Sequence, residues 1–287
     1  MDAGLACDFL RACARPGGGW GYGPDRDTLV EPTASVVLAL AGTALEVHET
    51  AQAVSWLEQA QHADGGWGLH RDDPESGWST AWAVQALLRA GVAGEAVVRG
   101  RAWLASVPLA ATGKGADEAL WTDNLRIDPT LQGWPWRPDE ASWVEPTAHV
   151  LLALEPADPS VRDRGLGAVR YLADRRCAGG GWNVGNPYMF GRPFPARAHP
   201  TAVAVFALAR WSPATLRSED TSTLRAAMQE EGGAGALAWG LIALGSLGLD
   251  DPEARTRLSG LQDPGGGWEG DPHVTALALR ALAGGRS

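Results

Sequence analysis

The 287-residue sequence is poor in several residue types that mark large classes of protein. Its three cysteines are an odd number at no metal-ligand spacing, which favours reduced thiols over a disulfide framework. Lysine occurs once, and the arginines are spread along a chain of net charge −10, which argues against a basic surface for nucleic acid. No apolar run reaches the roughly 18 residues of a membrane span, and the N-terminus lacks the layout of a signal peptide. The sequence predicts a cytoplasmic protein without a transmembrane segment, and a peripheral membrane contact is compatible with it.

Tyrosine and phenylalanine are also scarce, whereas tryptophan and glycine are abundant. Three Tyr and four Phe stand against 14 Trp and 37 Gly. Blocks of glycine followed by tryptophan recur at residues 17–20, 64–68, 132–134, 179–182 and 265–268. Each block follows an amphipathic stretch that is typical of a helix and precedes a much more apolar one. Recurrence of this kind indicates a repeat architecture.

The alternation of amphipathic and apolar helices predicts a layered fold. The apolar segments cover residues 33–40, 80–90, 147–154, 201–209, 236–247 and 275–283. A helix that is apolar on every side must be buried, whereas an amphipathic helix faces water on one side. Because one helix pair cannot bury its own apolar member, the six pairs are expected to stack and close into a ring. The sequence therefore predicts an all-α fold, an (α/α)6 toroid, formed as a single domain over residues 1–287. The fifth repeat lacks a Trp after its glycines and is the least regular.

Two of the blocks resemble the QW repeats of the squalene-hopene cyclases. Residues 59–68 (QAQHADGGWG) and 262–268 (QDPGGGW) carry the pattern, and residues 79–87 (STAWAVQAL) are similar to the inner helix that follows such a repeat. The repeat pattern covers nearly the whole chain. The sequence therefore resembles the terpenoid cyclase and protein prenyltransferase superfamily. This resemblance implies an α/α toroid that acts on an isoprenoid-like, apolar small molecule.

The starts of the inner helices carry the candidate catalytic groups. Residues 30–34 and 144–148 both read VEPTA, and Glu31 and Glu145 each lie eleven residues after the Trp of the preceding block. Proline suits the first turn of a helix, but glutamate is not among the favoured N-caps. In the class II cyclases that this sequence resembles, the equivalent position carries an Asp-Xaa-Asp-Asp motif whose middle Asp protonates the substrate. The resemblance therefore implies that Glu31 or Glu145 is the acid.

The sequence departs from the class II motif on both sides of each glutamate. Leu29 and Pro32 replace the flanking aspartates of the first copy, and Trp143 replaces the first Asp of the second. A helix N-terminus lowers the pKa of a carboxyl group, whereas an apolar cavity raises it, and a general acid needs the second effect to dominate. The alternative is that both glutamates tie helix starts to neighbouring loops. The neighbouring Trp residues slightly favour Glu145 as the acid.

Aromatic residues near the inner helices are the candidate substrate contacts. They are Trp78, Trp82, Trp136, Trp143 and Trp239, whose faces are suited to stabilise a carbocation. The alternative is a core filled with large side chains. The loop after the fourth block is unusually long and concentrates Tyr188, Phe190 and Phe194, which makes it a candidate lid. His199 and His273 also fall near inner-helix starts.

Three functions are consistent with these features. The first is a class II cyclase-like isomerase or lyase that acts on a polyprenyl chain by protonation, without a metal or other cofactor. The second is an apolar-ligand binding toroid without catalysis, and the third is a protein-interaction module. Prenyltransferases of the same fold bind zinc through Asp, Cys and His, but no Cys lies on an inner helix here. A rim site of Glu145, His199 and His273 is the remaining metal alternative.

Overall fold

The computed structural model describes residues 1–108, 125–189 and 191–284. Its helices are α1 (Ala3–Cys13), α2 (Val30–Leu40), α3 (His48–Gln59), α4 (Ser79–Arg89), α5 (Glu95–Ser106), α6 (Val144–Ala153), α7 (Pro159–Asp174), α8 (Ala198–Trp211), α9 (Ser218–Glu231), α10 (Ala234–Ser246), α11 (Pro252–Gly260) and α12 (Pro272–Leu282). A short 3-10 helix, Pro213–Thr215, follows α8. The long loop of the fourth repeat forms an antiparallel pair of two-residue strands, β1 (Tyr188–Met189) and β2 (Arg192–Pro193), in which Tyr188 faces Pro193.

The even-numbered helices form a closed inner ring. Each packs against the next around the ring, and α12 returns to pack against α2. The odd-numbered helices lie outside them: α3, α7, α9 and α11 each pack against the inner helices on both sides, α5 packs against α4, and α1 packs against α12. The predicted all-α toroid is therefore confirmed. None of the helices in the described ranges is long and apolar enough to cross a membrane.

Burial separates the two layers as the hydrophobic pattern predicts. The inner helix α2 buries every residue except Glu31 and Ala39, whereas the outer helix α9 buries one face, formed by Asp220, Leu224, Ala227 and Met228. Helices that are surrounded on all sides need apolar residues at every position, and helices with one free side need them only in a stripe. The inner ring is therefore the core of the protein.

The repeated Trp ties an outer helix to the following inner helix. The Trp20 indole N–H donates to the Leu10 carbonyl near the end of α1 at 2.7 Å, and its backbone N–H donates to Thr33 Oγ1 on α2 at 2.9 Å. The same pair of bonds recurs in the second, third, fourth and sixth repeats, at Trp67 with Thr80, Trp134 with Thr147, Trp182 with Thr201 and Trp268 with Thr275. These five Trp side chains are buried and pack between the two layers of helices.

The glycines of the blocks allow close contact between backbones. Gly18 has φ +100°, and a Cβ there would lie 2.8 Å from the Gln52 carbonyl oxygen on α3. Such positive φ values are costly for residues with a side chain. The glycines lie in the turn that follows α1, where they let the chain pass from one layer to the other.

The inner helices begin earlier than the apolar pattern predicts. The apolar segments begin at Thr33 and Thr147, with the prolines expected in the first turn and the glutamates just before it, but α2 begins at Val30 and α6 at Val144. Proline has no N–H to lose in the first turn and its fixed φ suits a helix, so the Glu-Pro pair lies inside it. Glu31 and Glu145 are therefore first-turn residues of inner helices.

Candidate active site at the N-terminal mouth

Five equivalent positions form a ring at the mouth where the inner helices begin. Each lies two residues before the Thr that accepts the bond from a repeated Trp, so the five side chains occupy the same register of five inner helices. They are Glu31, Trp78, Glu145, His199 and His273. All five were candidate residues on sequence grounds. We call this set the mouth ring.

A cluster of rings fills the centre of the toroid below the mouth ring. Trp82 and His149 lie with ring centroids 4.7 Å apart, and Trp239 is 5.9 Å from Trp82 and 5.6 Å from His149. His199 stacks on Trp239 at 5.2 Å, and His273 contacts the edge of Trp82 at 5.6 Å. The structure therefore brings Trp82, Trp239 and both predicted histidines together. We call these five residues the central cluster.

His273 is held as a neutral ring with a defined tautomer. The Ser35 hydroxyl donates to the Glu31 carbonyl oxygen at 2.8 Å, so its oxygen is left to accept from His273 Nδ1–H at 2.6 Å. Burial, aided by His199, lowers the pKa of His273 to about 3. A neutral ring that donates through Nδ1 carries its lone pair on Nε2. His273 Nε2 is therefore a hydrogen-bond acceptor.

Glu31 is a largely buried carboxyl group that is partly protonated at neutral pH. Burial raises its pKa to about 7, and the charges of Glu145 and Asp271 act in the same direction, while the hydrogen bond that the Tyr22 hydroxyl donates opposes them. Tyr22 itself lies 5.9 Å from the His273 ring and is 44% exposed at the mouth. A carboxyl group with this pKa can give up a proton at neutral pH.

Glu145 lies on the other side of the mouth beside two histidines. Its Oε1 atom is 3.6 Å from His199 Nδ1, and His149 lies one helical turn further along α6. One ligand atom from each of the three side chains lies within 4.8 Å of the others. Burial and the nearby histidines hold the pKa of His149 well below its usual range, so this imidazole is neutral. The set is chemically suited to a metal ion, with His149 in place of the His273 considered from the sequence.

The remaining predicted substrate contacts lie away from the central cluster. Trp78 and Trp136 meet edge to face at 5.1 Å beside a cavity of about 160 Å³. Trp143 pairs through its backbone with Trp134 ahead of α6. These aromatic side chains remain candidate contacts at the rim of the mouth.

The candidate lid loop is an exposed hairpin. The Arg126 guanidinium lies 3.8 Å from the Tyr188 ring centroid and donates to its hydroxyl at 3.1 Å. Phe194 is 39% exposed. Phe190 lies outside the described residues. Within the ranges that the structure describes, neither Tyr188 nor Phe194 has a ring contact with the central cluster.

A larger cavity of about 720 Å³ opens at the opposite mouth, where the inner helices end. Apolar groups such as Leu38 and Phe206 line it together with four arginines: Arg89, Arg101, Arg210 and Arg280. Arginines at helix C-termini complement the negative end of the helix dipole. None of the described residues that line this cavity is a Trp. Trp82 and Trp239, which were candidate substrate contacts, pack into the centre of the toroid instead.

Three residues of the site were not singled out from the sequence. His149 and Ser35 each lie four residues after a mouth-ring glutamate, so the helical period places them on the same face. That spacing was the available signal. Tyr22 lies in the loop before α2 and has no comparable signal, because its approach to Glu31 depends on how that loop folds.

Comparison with known proteins agrees with this architecture. Residues 2–123 match the family described as the squalene-hopene cyclase C-terminal domain. A segment of 87 residues is 36% identical to the terpene cyclase-glycosyl transferase fusion protein fsoA of Humicola fuscoatra. The segment covers 26% of this chain and spans only 6% of that protein.

Solved structures match over almost the whole chain. The type II terpene cyclase MstE from Scytonema superposes with a TM-score of 0.62 at 19% identity, covering 98% of this chain and 95% of that one. A protein from Actinoplanes gives a TM-score of 0.65 at 18% identity, covering 99% and 98%. At these identities the likeness shows the fold and leaves the reaction open. The molecule has the α/α toroid fold of these solved structures. The family match over residues 2–123 supports the resemblance of the sequence to the terpenoid cyclase superfamily and its squalene-hopene cyclase group.

Proposed function

We propose that this chain is a class II terpene cyclase-like enzyme that protonates a polyprenyl-type substrate, with Glu31 as the acid. The observation that carries the proposal is the buried Glu31 carboxyl group at the start of α2, bonded by Tyr22, with a pKa of about 7. The proton would move from Glu31 to one alkene carbon, whose π electrons form the new C–H bond. The other carbon would become the carbocation that the next alkene attacks.

The central cluster supports this chemistry with aromatic faces. Trp82 and Trp239 lie almost fully buried beside the mouth ring. A cation over such a face is stabilised by roughly 0.5–2 kcal/mol when it is desolvated. The neutral His273 ring, with its lone pair on Nε2, is suited to take up the proton that ends the reaction. The carboxylate left on Glu31 is reprotonated from solvent through the partly exposed mouth.

The contacts favour Glu31 over Glu145, although the sequence slightly favoured Glu145. Glu31 accepts from a neutral phenol, which leaves its other oxygen free to carry a proton. Glu145 instead has its Oε1 atom 3.6 Å from His199 Nδ1, so that oxygen faces an imidazole and not a hydroxyl group. The prediction that the two glutamates are not equivalent follows from these different partners.

The substrate class is proposed by analogy with a structural neighbour. MstE from Scytonema has been solved with geranylgeranyl dihydroxybenzoate as its substrate. A geranylgeranyl-substituted arene is therefore the first compound to test. We further propose that residues 1–287 act as one domain, because α12 packs on both α1 and α2 and so links the two ends of the described chain.

The test is conversion of geranylgeranyl arenes, followed by liquid chromatography and mass spectrometry. Cyclisation gives a product of unchanged mass and altered retention. We expect Glu31→Gln to lower turnover by about 10²–10⁴ while binding and melting temperature change little, because Gln keeps the shape but has no acidic proton. Glu145→Gln keeps the Glu31 acid and should therefore lower turnover much less than Glu31→Gln does. Equal turnover by wild type and Glu31→Gln would refute Glu31 as the acid.

A non-catalytic apolar-ligand binding toroid is the second candidate. The cavity of about 720 Å³ at the opposite mouth favours it, because Leu38 and Phe206 are among the apolar groups that line this space. This function predicts that lipid copurifies with the protein and that no polyprenyl compound is converted. Mass spectrometry of the small molecules that copurify with the protein, together with the conversion assay, distinguishes this function from the cyclase. A protein-interaction module would carry no bound lipid.

A further inference from the structure

His149 is a buried polar side chain whose two ring nitrogens have no hydrogen-bond partner among the described residues. The residue is 1% exposed. An imidazole always carries a lone pair or an N–H at each nitrogen, and buried polar groups of this kind are rarely left unsatisfied. The two ring nitrogens of His149 therefore indicate a bound ligand that would satisfy at least one of them.

Two further ligand groups point to the same place. His199 Nε2 is also buried without a hydrogen bond, and Glu145 Oε1 lies 3.6 Å from His199 Nδ1. Glu145 and His149 share one face of α6 because they are four residues apart, and His199 faces them from the start of α8. One ligand atom from each lies within 4.8 Å of the other two.

We propose that Glu145, His149 and His199 bind a divalent transition-metal ion of the Zn²⁺ type. Two imidazoles and one carboxylate are a ligand set for zinc or non-haem iron, whereas Mg²⁺ and Ca²⁺ prefer oxygen ligands alone. A bound ion would satisfy one nitrogen of His149 and neutralise the carboxylate of Glu145. Three protein ligands leave at least one coordination position for water or for an oxygen of a ligand.

The position of the site suits a role in holding a polar headgroup. His199 stacks on Trp239, so the ion would lie between the mouth ring and the central cluster. Glu145 and His199 are only partly buried, which provides a path from solvent to the site. A phenolate or carboxylate oxygen is the class of ligand that a zinc-type ion with an open position accepts. This site does not depend on Glu31 being an acid.

The test measures metal binding directly, without turnover. Chelator-treated protein is titrated with Zn²⁺ by calorimetry, and with Co²⁺ by visible absorption, which reports imidazole and carboxylate ligands. We expect one equivalent to bind to wild type and to Glu31→Gln. Loss of one ligand in His149→Gln or His199→Gln should weaken binding by about 100-fold or more, since even second-shell losses cost 10–100-fold.

His62→Gln is the matched control. His62 Nε2 is likewise buried without a partner, but its Nδ1 is bonded to Ser76 and it belongs to no described group of ligands. Its substitution should leave affinity unchanged. Because a His149 variant can fail to fold, Glu145→Gln provides a second measurement, in which added Zn²⁺ should raise the melting temperature of wild type but not of the variant. Absence of binding by wild type, or binding of wild-type affinity by Glu145→Gln, His149→Gln and His199→Gln, would overturn the proposal.

Discussion

The buried Glu31 carboxyl group makes a testable contribution to the pH dependence of stability. Its pKa is about 7 in the folded protein against an ordinary value of 4.5. A raised pKa means that folding favours the protonated form, so the stabilisation is complete below about pH 4.5 and is lost as the pH rises through about 7. Each pH unit of this difference corresponds to about 1.4 kcal/mol, which gives a loss of about 3 kcal/mol in the free energy of unfolding.

The experiment compares wild type with Glu31→Gln. Gln keeps the acceptor for the Tyr22 hydroxyl but does not titrate. We expect the free energy of unfolding of wild type, measured in urea, to fall by about 3 kcal/mol relative to that of the variant between about pH 4.5 and pH 8. Using the difference between the two proteins removes the contributions of all other groups that titrate in the same range.

The groups that face Glu31 explain why a difference measurement is needed. Tyr22, Glu145 and Asp271 influence its charge, and His273 is linked to it through Ser35. Burial raises the pKa of Asp271 to about 6, so this group also makes the protein less stable as the pH rises. The pKa of His273 is lowered to about 3, so this group makes the protein more stable as the pH rises. Parallel stability curves for wild type and Glu31→Gln would refute the argument that burial holds a proton on Glu31.

Three further predictions concern the repeat contacts, each measured as the free energy of unfolding in urea. Thr80→Val leaves the buried Trp67 backbone N–H unsatisfied and should cost about 1–3 kcal/mol, whereas Thr80→Ser, which keeps the hydroxyl, should cost less. Trp67→Phe removes the indole bond to α3 and opens a small cavity, so we expect a loss of about 1–3 kcal/mol, and a neutral result would contradict its packing role. A Cβ at Gly165 would lie 2.1 Å from the Trp211 ring, so Gly165→Ala should cost about 1–3 kcal/mol, while Gly179→Ala, with nothing within 4 Å, should be nearly neutral.

The fold could be predicted because its determinants repeat in the sequence. The glycine-Trp blocks and the two kinds of helix recur, and each repeat carries the same physical requirement to bury an apolar helix. Because the pattern occurs in five copies, the fold can be predicted even when one repeat departs from the pattern. The fifth repeat shows this, since α9 and α10 take their places without a Trp block, and Met228 packs against Gly240 between them.

The contacts of the site could be predicted only in part. Register identified Glu31, Glu145, His199 and His273 because they precede the repeated Thr. The partners of these residues come from other helices and loops, and their approach depends on three-dimensional packing. The Tyr22 hydrogen bond and the neutral state of His149 are consequences of that packing. The pKa of a buried group depends on desolvation, which a linear sequence does not contain.

In each of these repeats, the residues that hold the fold together are different from the residue at the mouth, which explains how one fold accommodates a variable site. The backbone of the repeated Trp is bonded to the Thr of the inner helix, so these two residues carry the structural requirement. The mouth-ring position lies two residues earlier and takes no part in that contact. It is therefore free to be Glu, Trp or His in different repeats of the same chain. Because the helices hold five such positions around one mouth, substitutions there change the chemistry offered to a ligand without changing the framework. An acid at one side of the mouth and a metal-binding group at the other are compatible for this reason.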